Sequence, residues 1–525
     1  MKAFGWGEDW HHEARLKSAY CASYNSVPSM NQTLKDHKPP PIIATRPICR
    51  AKSDQSPNGP LAELVGELLE PFIKEADLGD RTEIISTEEL CHEIKMTNDR
   101  IMRAGPRAGP FQQAGKLTIG SMDAEKLFPN LDIDKAAEEI KQEIIDSPVD
   151  VKGVNTEELA LFLACSMTQS EIDAEKLTQV VHRRRAKKGA RPGLTCPAIM
   201  GGPKVRSEDN SWVPPARQPS SVETRRMIGC LAKCAVKLVM KNHFYSFNNE
   251  IRRQRKGGGI GNTLTEKAAK LLLKRFDRKF KALLETLKIE IDLYKRYVDD
   301  LTKALAPLAP GVRFVEEDMK MVRMPELEEA DSEEFDDKRT FEELRKIANT
   351  IYQCVQFTTD TPSIHEEGMC PVLDLQVAIG VDGLICYKFF SKPCASKFVI
   401  PEKSAHSKQM KMAVLVEEGL RRMRNCSRGM EWSEKRVVME EWARKLRRSG
   451  YSATIRHQVV KEAILKYEKM CAVEDEGGRP VHRAREWQQA ARRLDKETKT
   501  ANWHKQNPNQ ISAPMILDPT SVSED

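Results

Sequence analysis

The spacing of apolar residues divides the chain into stretches of different period. Residues 1–60 show little periodicity and are rich in Pro, Ser, Asn and basic side chains, which predicts extended chain and loops. Residues 61–73 repeat at helical spacing. Residues 116–123 (KLTIGSMD) alternate apolar and polar before an acid, and 132–145 then read as an amphipathic helix, so a strand, a loop and a helix follow one another. Residues 183–221 are basic and rich in Pro and Gly without a period, which predicts a disordered surface insertion. The pattern is helical over 222–241 and strand-like over 244–252, and the glycines at 257, 258, 259 and 261 predict a turn into a helix over 263–287. Residues 291–301 place two short apolar arms around Asp299 and Asp300, as in a hairpin with acids at its tip. Two strand-like runs, 372–379 and 384–390, flank a turn at Val381-Asp382-Gly383. Residues 404–472 are helical and basic, and the polar tail beyond Glu476 is predicted to be disordered. Strands and helices mix without strict βαβ alternation, which predicts the α+β class with a helical appendage.

A chain of 525 residues has room for two or three subdomains sharing one active site. Its 84 Lys and Arg against 77 Asp and Glu give a modest +7, but acid and base are segregated. Residues 325–337 (PELEEADSEEFDD) are acidic, whereas 183–191 (RRRAKKGAR) and 421–448 are dense in Arg and Lys. Such asymmetry suits one phosphate-tracking face; ordinary solvated helix faces have the same composition. The 13 cysteines form no CxxC pair and no Cys/His cluster at zinc spacing, which predicts reduced thiols of an intracellular protein and no zinc module. No run approaches the roughly 20 apolar residues of a membrane span, and the start is polar, so no membrane partner and a cytoplasmic or nuclear location are expected.

The most specific local signal is Tyr297-Val298-Asp299-Asp300. Adjacent acids repel, so a partly buried pair needs a cation, and magnesium prefers hard oxygen ligands. On its own the pattern also reads as a turn with solvated Asp residues. Asp123, at the end of a predicted strand and five residues before Phe128, supplies a third carboxylate, although a helix cap or turn acid looks the same. Three carboxylates can hold two metal ions, one activating a 3′-hydroxyl and one stabilising a pyrophosphate leaving group. Gln254, Gly257 and Gly261 lie in the Gly-rich turn; glycine lets backbone approach a nucleotide, and Gln254 is placed to hold template or sugar, while a flexible linker has similar composition. In residues 33–50 (TLKDHKPPPIIATRPICR), Lys35, Lys38 and Arg46 are candidates for phosphate contacts, and a basic Pro-rich loop is the plainer reading.

Taken in order, these pieces resemble the reverse transcriptases of Penelope-like retroelements and, more distantly, the fingers and palm of reverse transcriptases generally. The LPKIHKP-then-RPI segment of that family is matched at Lys35, His37, Lys38 and Pro39 and at Arg46, Pro47 and Ile48; its first catalytic segment at Asp123, Phe128, Asn130 and Leu131. The QxxGxxMGSPLS segment is matched at Gln254, Gly257 and Gly261, and the YxDD box at Tyr297, Asp299 and Asp300. Downstream blocks correspond to Val372-Leu373-Asp374, Ser391-Lys392-Pro393 and Ser404-Ala405-His406, then to Lys408 and onward to Arg421 and Arg422. Departures are Ile260 for Met, Asn262 for Ser and Thr263 for Pro, four basic residues at Arg252, Arg253, Arg255 and Lys256, and a long separation of Asp123 from Gln254.

The resemblance implies a right-hand polymerase with an antiparallel-sheet palm and a basic helical thumb: an extension over 1–30, fingers over 31–115, palm over 116–182 and 222–403 around the 183–221 insertion, thumb over 404–475, and tail over 476–525. It implies RNA-directed DNA synthesis with two Mg2+ ions, Mn2+ substituting, on Asp123, Asp299 and Asp300. Phe128 is the implied steric gate, Arg46 meets the triphosphate, and Lys392 lies near the primer end. The implied partners are an RNA template, a DNA primer and deoxynucleoside triphosphates; nothing resembles a GIY-YIG endonuclease, which leaves room for a separate endonuclease, a truncated copy, an endonuclease-lacking element or a derived cellular protein. Two other readings remain: an RNA-dependent RNA polymerase, against which stand Phe128 and YVDD in place of GDD, and a non-catalytic nucleic-acid-binding protein derived from a retroelement, against which stand the three intact acids.

Overall fold

A computed structural model of the protein describes residues 30–34, 45–49, 59–76, 82–181, 218–332, 335–392, 396, 398–474 and 483–506. The predicted insertion over 183–221 lies almost entirely outside the described residues, as do most of the N-terminal extension and Lys38. The chain divides into two compact units, one of Met1–Val372 with Ala378–Ile385 and the other of Leu373–Val377 with Cys386–Asp525.

In chain order the elements are β1 (Met30–Leu34), β2 (Thr45–Cys49), α1 (Gly59–Ala76), α2 (Thr87–Ala104), β3 (Thr118–Ala124), α3 (Leu127–Asn130), α4 (Ile133–Asp146), α5 (Thr156–Ser166), α6 (Gln169–Ala174), α7 (Ser221–Lys241), β4 (Phe244–Phe247), β5 (Glu250–Arg253), α8 (Thr263–Thr286), β6 (Leu293–Tyr297), β7 (Asp300–Leu305), β8 (Val312–Val315), β9 (Lys320–Arg323), α9 (Glu328–Ser332), α10 (Asp336–Asn349), β10 (Phe357–Asp360), β11 (Cys370–Val372), β12 (Leu375–Ile379), β13 (Ile385–Phe389), α11 (Lys408–Arg424), α12 (Trp432–Arg448), α13 (Ala453–Glu474) and α14 (Arg483–Gln506). This is the α+β class the sequence predicts, with β1–β2, β10–β3, β3–β7, β4–β5, β6–β7 and β8–β9 all paired antiparallel.

The first unit is built on a four-stranded sheet of order β10-β3-β7-β6. Helix α8 lies across it: Phe276 packs on Phe357 of β10 at 4.9 Å between ring centroids, and Phe280 on Tyr294 of β6 at 6.0 Å. One helix face therefore spans both edges of the sheet. Asp132 caps α4 by accepting from the Asp134 and Lys135 amides, at 2.9 and 3.0 Å, and Asn262 caps α8 by accepting from Leu264 N at 2.9 Å. The outer edge of β6 is covered by residues 82–84, where Arg296 N donates to Thr82 O and Ile84 N to Arg296 O, both at 2.8 Å.

Several expectations change. The run 244–252 is a hairpin rather than one strand, because Asn248 and Asn249 both adopt positive φ, 52° and 61°, as a tight two-residue turn requires. The acidic stretch is partly structural: Asp331 is buried, accepts from Gly311 N at 2.6 Å and pairs with Arg313 at 2.5 Å. In the second unit Arg421 pairs with Asp374 at 2.6 Å and with Glu418, and buried Arg422 stacks over the Phe389 and Trp442 rings, so the start of the basic block is bound internally. The tail expected to be disordered contains α14, which buries Trp487, Ala490, Ala491 and Leu494 in the same core as Trp442 and Tyr451. Its four apolar anchors are diluted among basic and polar residues, which masks the helical period.

Lys303 on β7 places its ammonium inside the first unit, 0% exposed, 2.8 Å from Met122 Sδ and 4.1 Å over the Phe280 ring. Burial pushes its pKa down to about 7, against a smaller opposing pull from Asp277. An unfolded lysine keeps its proton to about pH 10, so between pH 7 and 10 the unfolded chain binds more protons and this residue's penalty shrinks as pH rises. Lys303→Met is expected to stabilise the protein at pH 7 by on the order of 2–4 kcal/mol, with the gain closing toward pH 10; urea unfolding of both proteins at pH 7 and 9.5 reads it.

Candidate active site

Asp123 is the exposed position of an otherwise buried strand, whose core-facing neighbours are Met122 and Ala124. In the β3–β7 register Asp123 stands directly opposite Asp300, and in the β10–β3 register it stands opposite Thr358. Directly opposed residues point their side chains to the same face with Cβ atoms roughly 4.5–5.5 Å apart. Asp300 opens β7 and pairs with Tyr297 at the end of β6, so Val298 and Asp299 form the two-residue connection. Ala124 N donates to the Asp299 carbonyl at 3.2 Å, which pins the connection to the strand carrying Asp123. Two motifs far apart in sequence thus bring three carboxylates to one end of one sheet.

The connection is strained. Val298 has φ 55°, in the left-handed region that a β-branched residue rarely enters. It is held by Arg296, whose Nη1 donates to the Val298 carbonyl at 2.8 Å and whose Nε donates to Asp277 at 2.8 Å. Arg296 is 0% exposed, and Tyr294 Oη donates to the other oxygen of Asp277 at 2.8 Å. A buried ion pair reaching from α8 therefore fixes the hairpin carrying Asp299 and Asp300. Sequence reading missed Arg296 and Asp277; their one signal was a charged residue at each of two otherwise core-facing positions.

The Gly-rich segment meets the Phe128 segment. Phe128 is half-buried against the core, its carbonyl accepts from Gly258 N at 2.8 Å, and a Cβ on Gly257 would lie 2.4 and 2.5 Å from the Pro129 and Phe128 carbonyl oxygens. Gly257 also has φ 68°. The glycine there is required by approach to the chain's own backbone. Gly257→Ala is expected to destabilise the protein by about 2 kcal/mol or more, read as a lowered midpoint in chemical denaturation. Gln254 is committed within its own turn: Nε2 donates to Lys256 O at 2.9 Å and Oε1 lies 3.1 Å from His243 Nδ1. Burial lowers the His243 pKa, with the Gln254 bond opposing it. Gly261, at φ 97°, leads into the Asn262 cap of α8.

The remaining predicted residues are distributed over other elements. Tyr297 is exposed at the end of β6. Arg46 is on β2, opposite Thr33. Lys392 belongs to the second unit and is exposed. The donor set of Asp123, Asp299 and Asp300 fits a hard divalent ion: all oxygen, anionic, with two carboxylates on directly opposed positions where like charges destabilise the pair. Among the described residues no helix is long and apolar enough to cross a membrane.

No family model matches the chain, and no curated protein matches it. Among solved structures, it is similar to telomerase from Candida albicans in complex with a TWJ fragment of telomeric RNA, at 12% identity and TM-score 0.45, covering 92% of this chain and 67% of that one. It is also similar to apo telomerase from Candida tropicalis, at 11% identity and TM-score 0.37, covering 88% and 67%. The Candida tropicalis enzyme in complex with a TWJ fragment of telomeric RNA gives 12% identity and TM-score 0.36, covering 87% and 61%.

Proposed function

We propose that the chain is an RNA-directed DNA polymerase of the right-hand type, derived from a retroelement of the Penelope-like kind. The observation that carries this reading is the register of Asp123 against Asp300, with the Asp299 carbonyl bonded to Ala124. That arrangement joins the two sequence motifs into one set of carboxylates. Asp123, Asp299 and Asp300 would hold two Mg2+ ions, which when bound activate the primer 3′-hydroxyl and stabilise the departing pyrophosphate.

The remaining roles follow from the chain's own groups. The Arg296–Asp277 pair and the Ala124 amide fix the acidic hairpin. Phe128, backed by the Gly257–Gly258 turn, closes the nucleotide site against a 2′-hydroxyl. Lys38 and Arg46 take the triphosphate, Gln254 and Gly261 shape the turn beside the template, and Tyr297 and Lys392 serve the primer end. The substrates are then an RNA template, a DNA primer and deoxynucleoside triphosphates, met in the nucleus or cytoplasm.

The test is primer extension on poly(rA)/oligo(dT) with magnesium, offering dTTP or UTP. Extension with dTTP in strong preference to UTP supports the reading. Preference for UTP assigns an RNA polymerase instead, and salt-sensitive binding of primer-template without extension assigns a non-catalytic binder. In the active protein, Phe128→Ala is expected to reduce discrimination against UTP by roughly 10–100-fold, measured as the ratio of kcat/KM values. Unchanged discrimination removes Phe128 from the gate.

A further inference from the structure

Beside the acids, on the same face of the sheet, lies a second group of ligand-bearing side chains that the polymerase reading does not use. Asp360 ends β10, His365 follows a short 3-10 turn over Pro362–Ile364, and Cys370 opens β11. One carboxylate oxygen, one imidazole nitrogen and the Cys370 Sγ all lie within 4.8 Å of one another. His365 Nε2 is 2.5 Å from Asp360 Oδ1. The Cys370 thiol is buried yet turned toward polar atoms, 3.4 Å from the Asp360 carbonyl oxygen and 3.8 Å from Ser121 Oγ.

An ordinary Asp–His pair accounts for two of these groups, and a buried cysteine acting as a small apolar filler accounts for the third. Neither accounts for all three converging on one point, nor for a thiol directed away from the apolar core. The intervening loop is built to hold them: Ser363 N donates to Asp337 Oδ2 at 2.9 Å, His365 N to Pro362 O at 3.1 Å, and Gly368 N to His365 O at 2.9 Å. Cysteine, histidine and aspartate as three ligands, with a fourth position left to water, suit Zn2+, whereas the neighbouring all-carboxylate set suits Mg2+. Burial and the adjacent acids raise the Cys370 pKa, so without an ion the thiol stays protonated.

We propose that Asp360, His365 and Cys370 form a zinc site that clips the end of β10 to β11. On binding, the Cys370 S–H proton leaves to solvent, and the thiolate sulfur, an imidazole nitrogen and the Asp360 carboxylate each bond to the ion. Thr358, two residues before Asp360, stands opposite Asp123, so the clip braces the strand flanking the first catalytic acid.

The test uses the full chain stripped with chelator and titrated with Co2+, followed by Zn2+. Expected is a thiolate-to-cobalt absorption band that saturates at about one ion per chain and is displaced by Zn2+. The band disappears in Cys370→Ser and in His365→Asn, each checked for folding by circular dichroism, and persists in Asp299→Asn with Asp300→Asn. Zn2+ raises the melting temperature of the native chain and not of folded Cys370→Ser. Absence of the band from the native chain overturns the site, as does a band retained in both ligand variants or lost in the Asp299/Asp300 variant. This inference is independent of the polymerase reading, since none of its readouts requires primer extension.

Discussion

Replacing Asp299 and Asp300 together by Asn is expected to reduce primer extension by on the order of 10³-fold or more while leaving the protein folded and bound to primer-template. The reasoning concerns charge rather than shape. Asn has nearly the volume of Asp, and the backbone bonds that place the hairpin, from Ala124 to Asp299 and from Arg296 to Val298, do not involve either carboxylate. The substitution also removes the like-charge opposition of Asp300 with Asp123, which is worth a few tenths to about 1 kcal/mol. The melting temperature should therefore stay level or rise as activity vanishes. A variant that lost activity and stability together would show that the acids support the fold, and one that kept extending primer would remove them from the chemistry.

Arg296→Ala should be the most destabilising single change near the site. It leaves Asp277 buried with its bond from the Tyr294 hydroxyl but without the guanidinium, and breaking such a pair from one side costs about 3–5 kcal/mol. The same change removes the guanidinium bond to the Val298 carbonyl. A companion variant separates the two effects: Arg296→Met with Asp277→Leu removes both charges and should recover most of the stability measured by urea unfolding. Because it restores no bond to Val298, its kcat should remain depressed. Recovery of activity along with stability would mean that the ion pair serves the fold alone.

How much of this was legible in the sequence follows from what sets each feature. The apolar period over 222–241 and 263–287 is local, and α7 and α8 begin and end within about a residue of those bounds, with Ser220 and Asn262 capping their N-termini. The alternation in 116–123 located β3, which runs Thr118–Ala124 with Asp123 as its one exposed position. The facing of Asp123 and Asp300 depends on register, which no local pattern encodes, and it came instead from the order of motifs. The Asp277–Arg296 pair lay hidden for the same reason: a charged residue on a helix face reads as solvent until its partner strand is known. The Asp360, His365 and Cys370 group escaped because its five-residue steps match no Cys/His zinc spacing. The expectation of disorder beyond Glu476 is overturned only over 483–506, where composition outweighed four well-placed apolar residues in α14; the rest of that span lies outside the described residues.

The left-handed Val298 has a consequence for how this chain tolerates change. A glycine there would relieve on the order of 1 kcal/mol of backbone strain and make the protein more robust, while loosening the one turn that aims two carboxylates. Screening variants for heat resistance and screening them for turnover would thus move residue 298 in opposite directions. On the proposed polymerase reading, the hairpin tip trades durability against chemistry within a single side chain.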